Sequence, residues 1–253
     1  MKLLIYPLIK ESMDLIRSQD LLVDYDEVIG VTPREIALQG QDVSVIDGGM
    51  FADITVSNDM EQQLFHCDAL LVYIDPDGVL NMNHKQVVDW MKDTIKNGKP
   101  VYLWCESWEL PKGYEALYCV IRIENAPDLP VLTDMHLYRI PVPVLFVVGI
   151  GPYTNKFSVQ LGLRRNLLDR GYTVTQYGSK TISPFFGFHA LPSFLFDDSL
   201  SAHNRILLLN HLLYDQVRKE RSDLLVIGIP GGMMPMTPYR FDDFGEYLFL
   251  ISN

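Results

Sequence analysis

Short unbroken apolar runs alternate along this chain with stretches whose apolar residues recur every three to four positions. Lys2 to Pro7 (KLLIYP) reads as a buried strand, and Glu11 to Leu22 carries helical periodicity. Glu27 to Val31 and Asp42 to Ile46 are short β-rich pieces, the second closed by the turn Asp47-Gly48-Gly49. Asp68 to Ile74 (DALLVYI) predicts a strand ending at Asp75-Pro76-Asp77-Gly78. Asn83 to Asn97 predicts a helix stopped by Gly98 and Pro100, and Pro100 to Cys105 the next strand. Continuous apolar strands separated by helices imply a parallel sheet covered on both faces.

The pattern breaks between Asn125 and Pro143, where Pro127, Pro130, Pro141 and Pro143 leave little room for a helix or a central strand. It restarts with Val144 to Asp169 (VLFVVGIGPYTNKFSVQLGLRRNLLD), an apolar run, a Gly-rich turn and an amphipathic helix. Tyr172 to Tyr177 is a further strand, Ser199 to Arg221 a long helix, and Leu224 to Ile229 a strand ending in Pro230-Gly231-Gly232. The expected organisation is α/β throughout: a Rossmann-like domain over residues 1–125, a Pro-rich linker over 126–143, and a degenerate P-loop NTPase-like domain over 144–253. A P-loop domain of about 110 residues is small for a doubly wound sheet. Because the chain stops inside the apolar segment Tyr247 to Asn253, the natural protein is expected to continue past it.

Composition narrows the function classes. With 253 residues, 48% of them hydrophobic and 21% charged, the chain has the make-up of a soluble globular protein. Its net charge of −11 argues against nucleic acid or an anionic membrane as the main partner. No apolar run reaches the roughly 18 residues of a membrane span, and MKLLIYPLIKES is too short and too interrupted for a signal peptide. Cys67, Cys105 and Cys119, without a CxxC pair, read as reduced thiols of a cytoplasmic protein.

The candidate chemistry lies between Gly149 and Ser158. A strand, a Gly-rich loop, a lysine and a helix in that order form a phosphate cradle. Loop N–H groups, the positive end of the helix dipole and the ammonium converge there on an anion. The pattern GxxxxGK[ST] would place glycines at 150 and 155 and a hydroxyl at 157, but the chain has Ile150, Asn155 and Phe157. A variant spacing uses Gly149, Gly151, Thr154, Asn155, Lys156 and Ser158, together with Gly231 and Gly232 from the later turn. Asn is the residue after glycine that best tolerates a left-handed backbone. A working P-loop enzyme also needs a strand-end carboxylate for its metal shell. Gly228 and Ile229 stand at that position, Asp223 lies at the wrong end, and only Asp242 and Asp243 follow. These residues are read as a phosphate or nucleotide site with little or no turnover, or as glycines that only tighten the turn; they assign no catalytic residue and leave the cofactor unidentified, with ATP or GTP and Mg²⁺ as candidates. The first half lacks any such loop: PLIKES follows its first strand, so capture there falls to acidic turns at Asp47, Gly48, Gly49, Asp75 and Asp77, which otherwise are solvated turn residues.

Gly149 to Ser158 with Pro230-Gly231-Gly232 resembles the P-loop proteins that include dethiobiotin synthetase-type ATPases. The whole chain, from MKLLIYPLIKESMDLIR through GPYTNKFSVQ to IPGGMMP and FGEYLFLISN, is similar to the bacterial peptide maturation system proteins. That resemblance implies an accessory role in maturing ribosomally made peptide natural products, with a precursor peptide or a peptide-modifying enzyme as partner. Two rivals stand beside it. One is an ATP-dependent ligase or kinase-type enzyme using Mg²⁺ on Ser158 and Asp242 or Asp243; the other is a purely structural dimerising module.

Other clusters carry weaker signals. Phe185, Phe186, Phe188, Phe194 and Phe196 crowd a Pro- and Gly-broken segment that suggests an aromatic pocket, a homodimer surface over Phe185–Phe196, or a stretch folded over the core. His203 and His211 share a helix without a third ligand at metal spacing, so they read, with His189, as ordinary imidazoles. Met233, Met234 and Met236 read as loop or core filler, and Cys105-Glu106 as a nucleophile without a partner. Arg164, Arg165 and Arg170 are expected on the solvated face of the P-loop helix.

Overall fold

A computed structural model describes residues 1–74, 82–105, 121–122, 135–151, 154–197 and 199–231. The chain divides into two compact units, Met1–Ile123 and Glu124–Asn253. Each is built on an all-parallel sheet.

Unit 1 holds β1 (Lys2–Tyr6), β2 (Glu27–Gly30), β3 (Ala69–Ile74), β4 (Val101–Cys105) and β5 (Ile121–Arg122) in the order β2-β1-β3-β4-β5. Its helices are α1 (Met13–Arg17), α2 (Ser44–Asp47), α3 (Met60–His66) and α4 (His84–Lys96). Leu3, Leu4, Ile5, Leu70, Leu71 and Val72 are fully buried, as expected where consecutive strand residues face helices on both sides. Asn83 caps α4 by accepting the Gln86 N–H at 3.3 Å. Residues 11–22, expected as one helix, form α1 flanked by short 3₁₀ turns at Lys10–Ser12 and Gln19–Leu21.

The expected β-rich piece at Asp42 to Ile46 is instead the single helical turn α2, entered by one bridge from Asp42 to Thr55. The Asp42 carboxylate explains the difference. It accepts the N–H groups of Ser44, Ala52 and Ile54 at 2.9 to 3.3 Å, folding the chain back where a strand would run straight. Asp47 is likewise no open ligand turn: Arg17 donates two hydrogen bonds to it, at 2.8 and 3.1 Å. Gly48 caps α2 in the left-handed region at φ 69°, and Asp47 also accepts the Gly49 N–H at 2.8 Å. Asp75 and Asp77 lie outside the described residues.

Unit 2 holds β6 (Val144–Val147), β7 (Val174–Gly178), β8 (His189–Ala190) and β9 (Leu224–Gly228) in the order β6-β9-β7-β8, with α5 (Lys156–Asp169) and α6 (Ala202–Glu220). Leu225, Ile227, Leu209, Leu213 and Val217 form the centre of its core. The register pairs Val147 with Gly228, and the Ile229 N–H donates to the Val147 carbonyl at 3.0 Å. The loops that follow β6 and β9 therefore leave the sheet side by side. Among the described residues no helix is long and apolar enough to cross a membrane.

Candidate functional site

The junction of β6 and α5 is built around Lys156. Asn155 caps the helix in the left-handed conformation, φ 54° and ψ 26°, which sets the first turn of α5 against the preceding loop. A Cβ at Gly149 would stand 2.3 Å from Thr154 Oγ1 and 2.9 Å from Lys156 Cδ, so the loop closes over the lysine only because residue 149 has no side chain. Thr154 Oγ1 donates to the Gly151 carbonyl at 3.1 Å. Lys156 Nζ donates to the same carbonyl at 3.0 Å, lies 3.5 Å from Thr154 Oγ1, and donates to the carbonyl of Gly231. The ammonium thus ties together the loops that follow β6 and β9.

Lys156 is only 9% exposed, and no carboxylate pairs with it among the described residues. Burial pushes its ammonium below the usual lysine range. The neighbouring helix start adds N–H groups that have no carbonyl one turn earlier; the first helical bond of the turn runs from the Val159 N–H to the Asn155 carbonyl at 3.1 Å. A buried cation beside a helix N-terminus is the chemistry of an anion site. Asn155 and Ser158 are exposed at its rim, and Gly232 lies outside the described residues.

Phe157 occupies the position next to the lysine where a hydroxyl would meet a metal. It is 4% exposed and turned into an aromatic cluster, its ring 5.9 Å from Phe186 and 6.0 Å from Phe188. The strand-end carboxylate is replaced by a packing device that sequence reading missed. Gln160, fully buried, lies against Gly228, where a Cβ would stand 2.1 Å from its side-chain carbon. Its Nε2 donates to Ser179 Oγ at 3.4 Å, and its Oε1 finds no donor among the described residues. An amide therefore fills the space that a side chain at residue 228 would take, and among the described residues no carboxylate stands at this strand end. Asp223 instead accepts the Thr173 N–H at 2.8 Å, at the far end of the sheet. Asp242 and Asp243 lie outside the described residues, as do Met233, Met234, Met236 and Glu106. Among the described residues no group of three His, Cys, Asp or Glu side chains could hold a metal.

One expectation about the surroundings is corrected, and the alternatives left open by another are narrowed. Arg164 is not solvated: it is 8% exposed, donates through Nη2 to the Gly187 carbonyl at 2.7 Å, and stacks 5.3 Å from the Phe188 ring centre. The Phe-rich segment is core. Phe185, Phe186, Phe188 and Phe194 are 8% exposed or less, and only Phe196, at 45%, reaches the surface. The 3₁₀ turns Ser183–Phe186 and Ser193–Phe196 let one irregular segment send these rings inward, which no straight helix or strand could do. A homodimer surface made of these five rings is thereby reduced to Phe196.

The histidines sit in structural settings. His211 Nε2 meets the His136 carbonyl at 2.9 Å, and His203 is exposed. His189 Nε2 lies 2.7 Å from Glu220 Oε1, and Thr175 Oγ1 and Gln216 Nε2 both donate to Glu220 at 2.6 Å. Burial pushes the Glu220 carboxyl up, but the bonds from His189, Thr175 and Gln216 together outweigh it and hold the group down at about 2.

No family profile and no curated protein sequence matches this chain. Its fold is similar to the crystal structure of a DUF1611 family protein from Anabaena variabilis. The TM-score is 0.65 and the sequence identity 13%, over 99% of this chain and 71% of that chain. At that identity the likeness is one of fold.

Proposed function

We propose that unit 2 binds a phosphate-bearing ligand at the β6–α5 junction and turns it over little or not at all. The observation that carries this reading is the Lys156 ammonium, nine-tenths buried at a helix start and bonded to Gly151, Thr154 and Gly231 without a carboxylate among the described residues. A charge held this way gains a counter-ion when a phosphate arrives, and the loop amides supply hydrogen bonds to the same oxygens. Weak turnover follows from Phe157 and Gln160, which fill the positions of the metal-binding hydroxyl and carboxylate.

The biological setting rests on the sequence resemblance: an accessory protein in the maturation of a ribosomally made peptide, recruiting the precursor or its modifying enzyme. Calorimetry of the full chain with inorganic phosphate, ATP and GTP, each with and without Mg²⁺, tests the site. Binding that Lys156→Ala removes supports it, and equal binding by both proteins refutes it. Loss of the modified peptide on deletion of the gene from a producing strain tests the setting separately.

A further inference from the structure

Helix α5 is apolar on more than the face it packs into the core. Phe157 and Leu161 are buried, whereas Val159, 56% exposed, and Leu163 lie on the flank that looks toward β6. Among the described residues β6 is the edge of its sheet, and α5 leaves part of it uncovered. An open groove of about 650 Å³ runs between this helix flank and Leu145 of β6, which is 42% exposed. Tyr172, 47% exposed, lines the end nearest the last turn of α5. We propose that this groove is where two copies of the chain meet, their α5 helices lying side by side and parallel about a two-fold axis.

The charges select a second copy. Arg170 and Asp223 both line the groove at the end where α5 finishes, yet they do not pair with each other. Neither has an oppositely charged side chain within ion-pair distance among the described residues; Asp223 accepts the Thr173 N–H at 2.8 Å. A two-fold axis along the helices brings like ends together, so Arg170 meets Asp223 of the partner subunit and the reciprocal pair forms at the same time. An antiparallel arrangement would leave Arg170 opposite the start of α5, where no carboxylate lines the groove. The helix sequence points the same way. Val159 and Asn166 stand seven residues apart on the groove flank, a β-branched residue and an asparagine at equivalent heptad positions, and an asparagine so placed sets register in parallel two-stranded helix pairs. Asn166 is exposed, and its amide both donates and accepts, so it can pair with its own copy on the axis. Between them Gly162 has nothing within 4 Å of where a Cβ would stand, which leaves the wall open to a neighbouring helix. A 14-residue helix is about 21 Å long, and a contact along it falls short of the roughly 800 Å² per partner of a standard interface, so the dimer is expected to be reversible.

Sedimentation equilibrium of the full chain from micromolar to near-millimolar concentration tests the proposal. The parent should dimerise reversibly, and Val159→Asp, at an exposed position, should raise the dissociation constant at least about tenfold by burying an unpaired charge. Arg170→Asp should weaken the dimer by setting like charges against each other, and adding Asp223→Arg should restore it. Circular dichroism identifies any variant that loses its fold. Asn166→Cys decides independently of Asp223: under mild oxidation it should give a disulfide-linked dimer that the parent, with its three native cysteines, does not. A chain that stays monomeric throughout overturns the proposal and leaves the groove to a helix of another protein. It is equally overturned if the dimer survives Val159→Asp, if a folded double charge variant recovers nothing, or if Asn166→Cys fails to cross-link in a sample shown to be dimeric.

Discussion

Gln160 and Gly228 occupy one another's space: the amide of the first lies where any side chain of the second would begin, 2.1 Å from an ideal Cβ. Gly228 ends β9, beside the end of β6. The pair therefore excludes a carboxylate at residue 228 itself for as long as Gln160 keeps this position. Gly228→Asp is expected to cost about 1–3 kcal/mol by overpacking. Adding Gln160→Ala should recover part of that loss, a coupling that urea denaturation of the single and double variants measures. Additive effects would show that the contact is incidental.

Lys156→Met should show what the buried ammonium costs. Its folded-state pKa lies below the ordinary lysine value of 10.5, so the charged form is penalised by folding. That penalty is fully present below the folded pKa and disappears as pH rises toward 10.5. Relative to the parent, the variant is therefore expected to fare better at neutral pH than in alkaline buffer, on top of the loss of the bonds to Gly151 and Gly231. It should also lose all stabilisation by phosphate. Thermal midpoints across pH, with and without phosphate, check both.

Glu220 makes an opposite prediction in acid. Its carboxyl is held at about 2 against an ordinary 4.5, so its contribution is present above pH 4.5 and is lost as pH falls toward 2. Glu220→Gln should flatten this part of the acid-denaturation profile while leaving the alkaline side unchanged. Far-ultraviolet circular dichroism between pH 2 and pH 5 is the measurement, and a parent-like acid limb in the variant would refute the assignment.

The aromatic segment separates core from surface within a few residues. Phe186, 1% exposed, should cost about 3–5 kcal/mol on truncation to alanine. Phe196, 45% exposed, should change stability by no more than about 0.5 kcal/mol on replacement by serine. Sedimentation of Phe196→Ser alongside the parent asks whether this one ring supports self-association.

The sequence by itself determined the longer strands β1 to β4, β6, β7 and β9, though not the two-residue β5 and β8, together with the alternation that makes both sheets parallel and the strand–loop–lysine–helix order at Lys156. These are local properties: an apolar run long enough for a strand, an Asn able to take φ 54°, a glycine where Thr154 must pass. It misplaced Asp42 to Ile46 because a single carboxylate gathering one neighbouring and two distant amides leaves no periodic trace. Only the tertiary structure decided that Arg164 turns inward under Phe188 and that Gln160 fills the space beside Gly228. Each depends on elements far apart in sequence being brought within a few ångströms. At that range, steric exclusion and the pairing of buried polar groups override the preferences of any one segment.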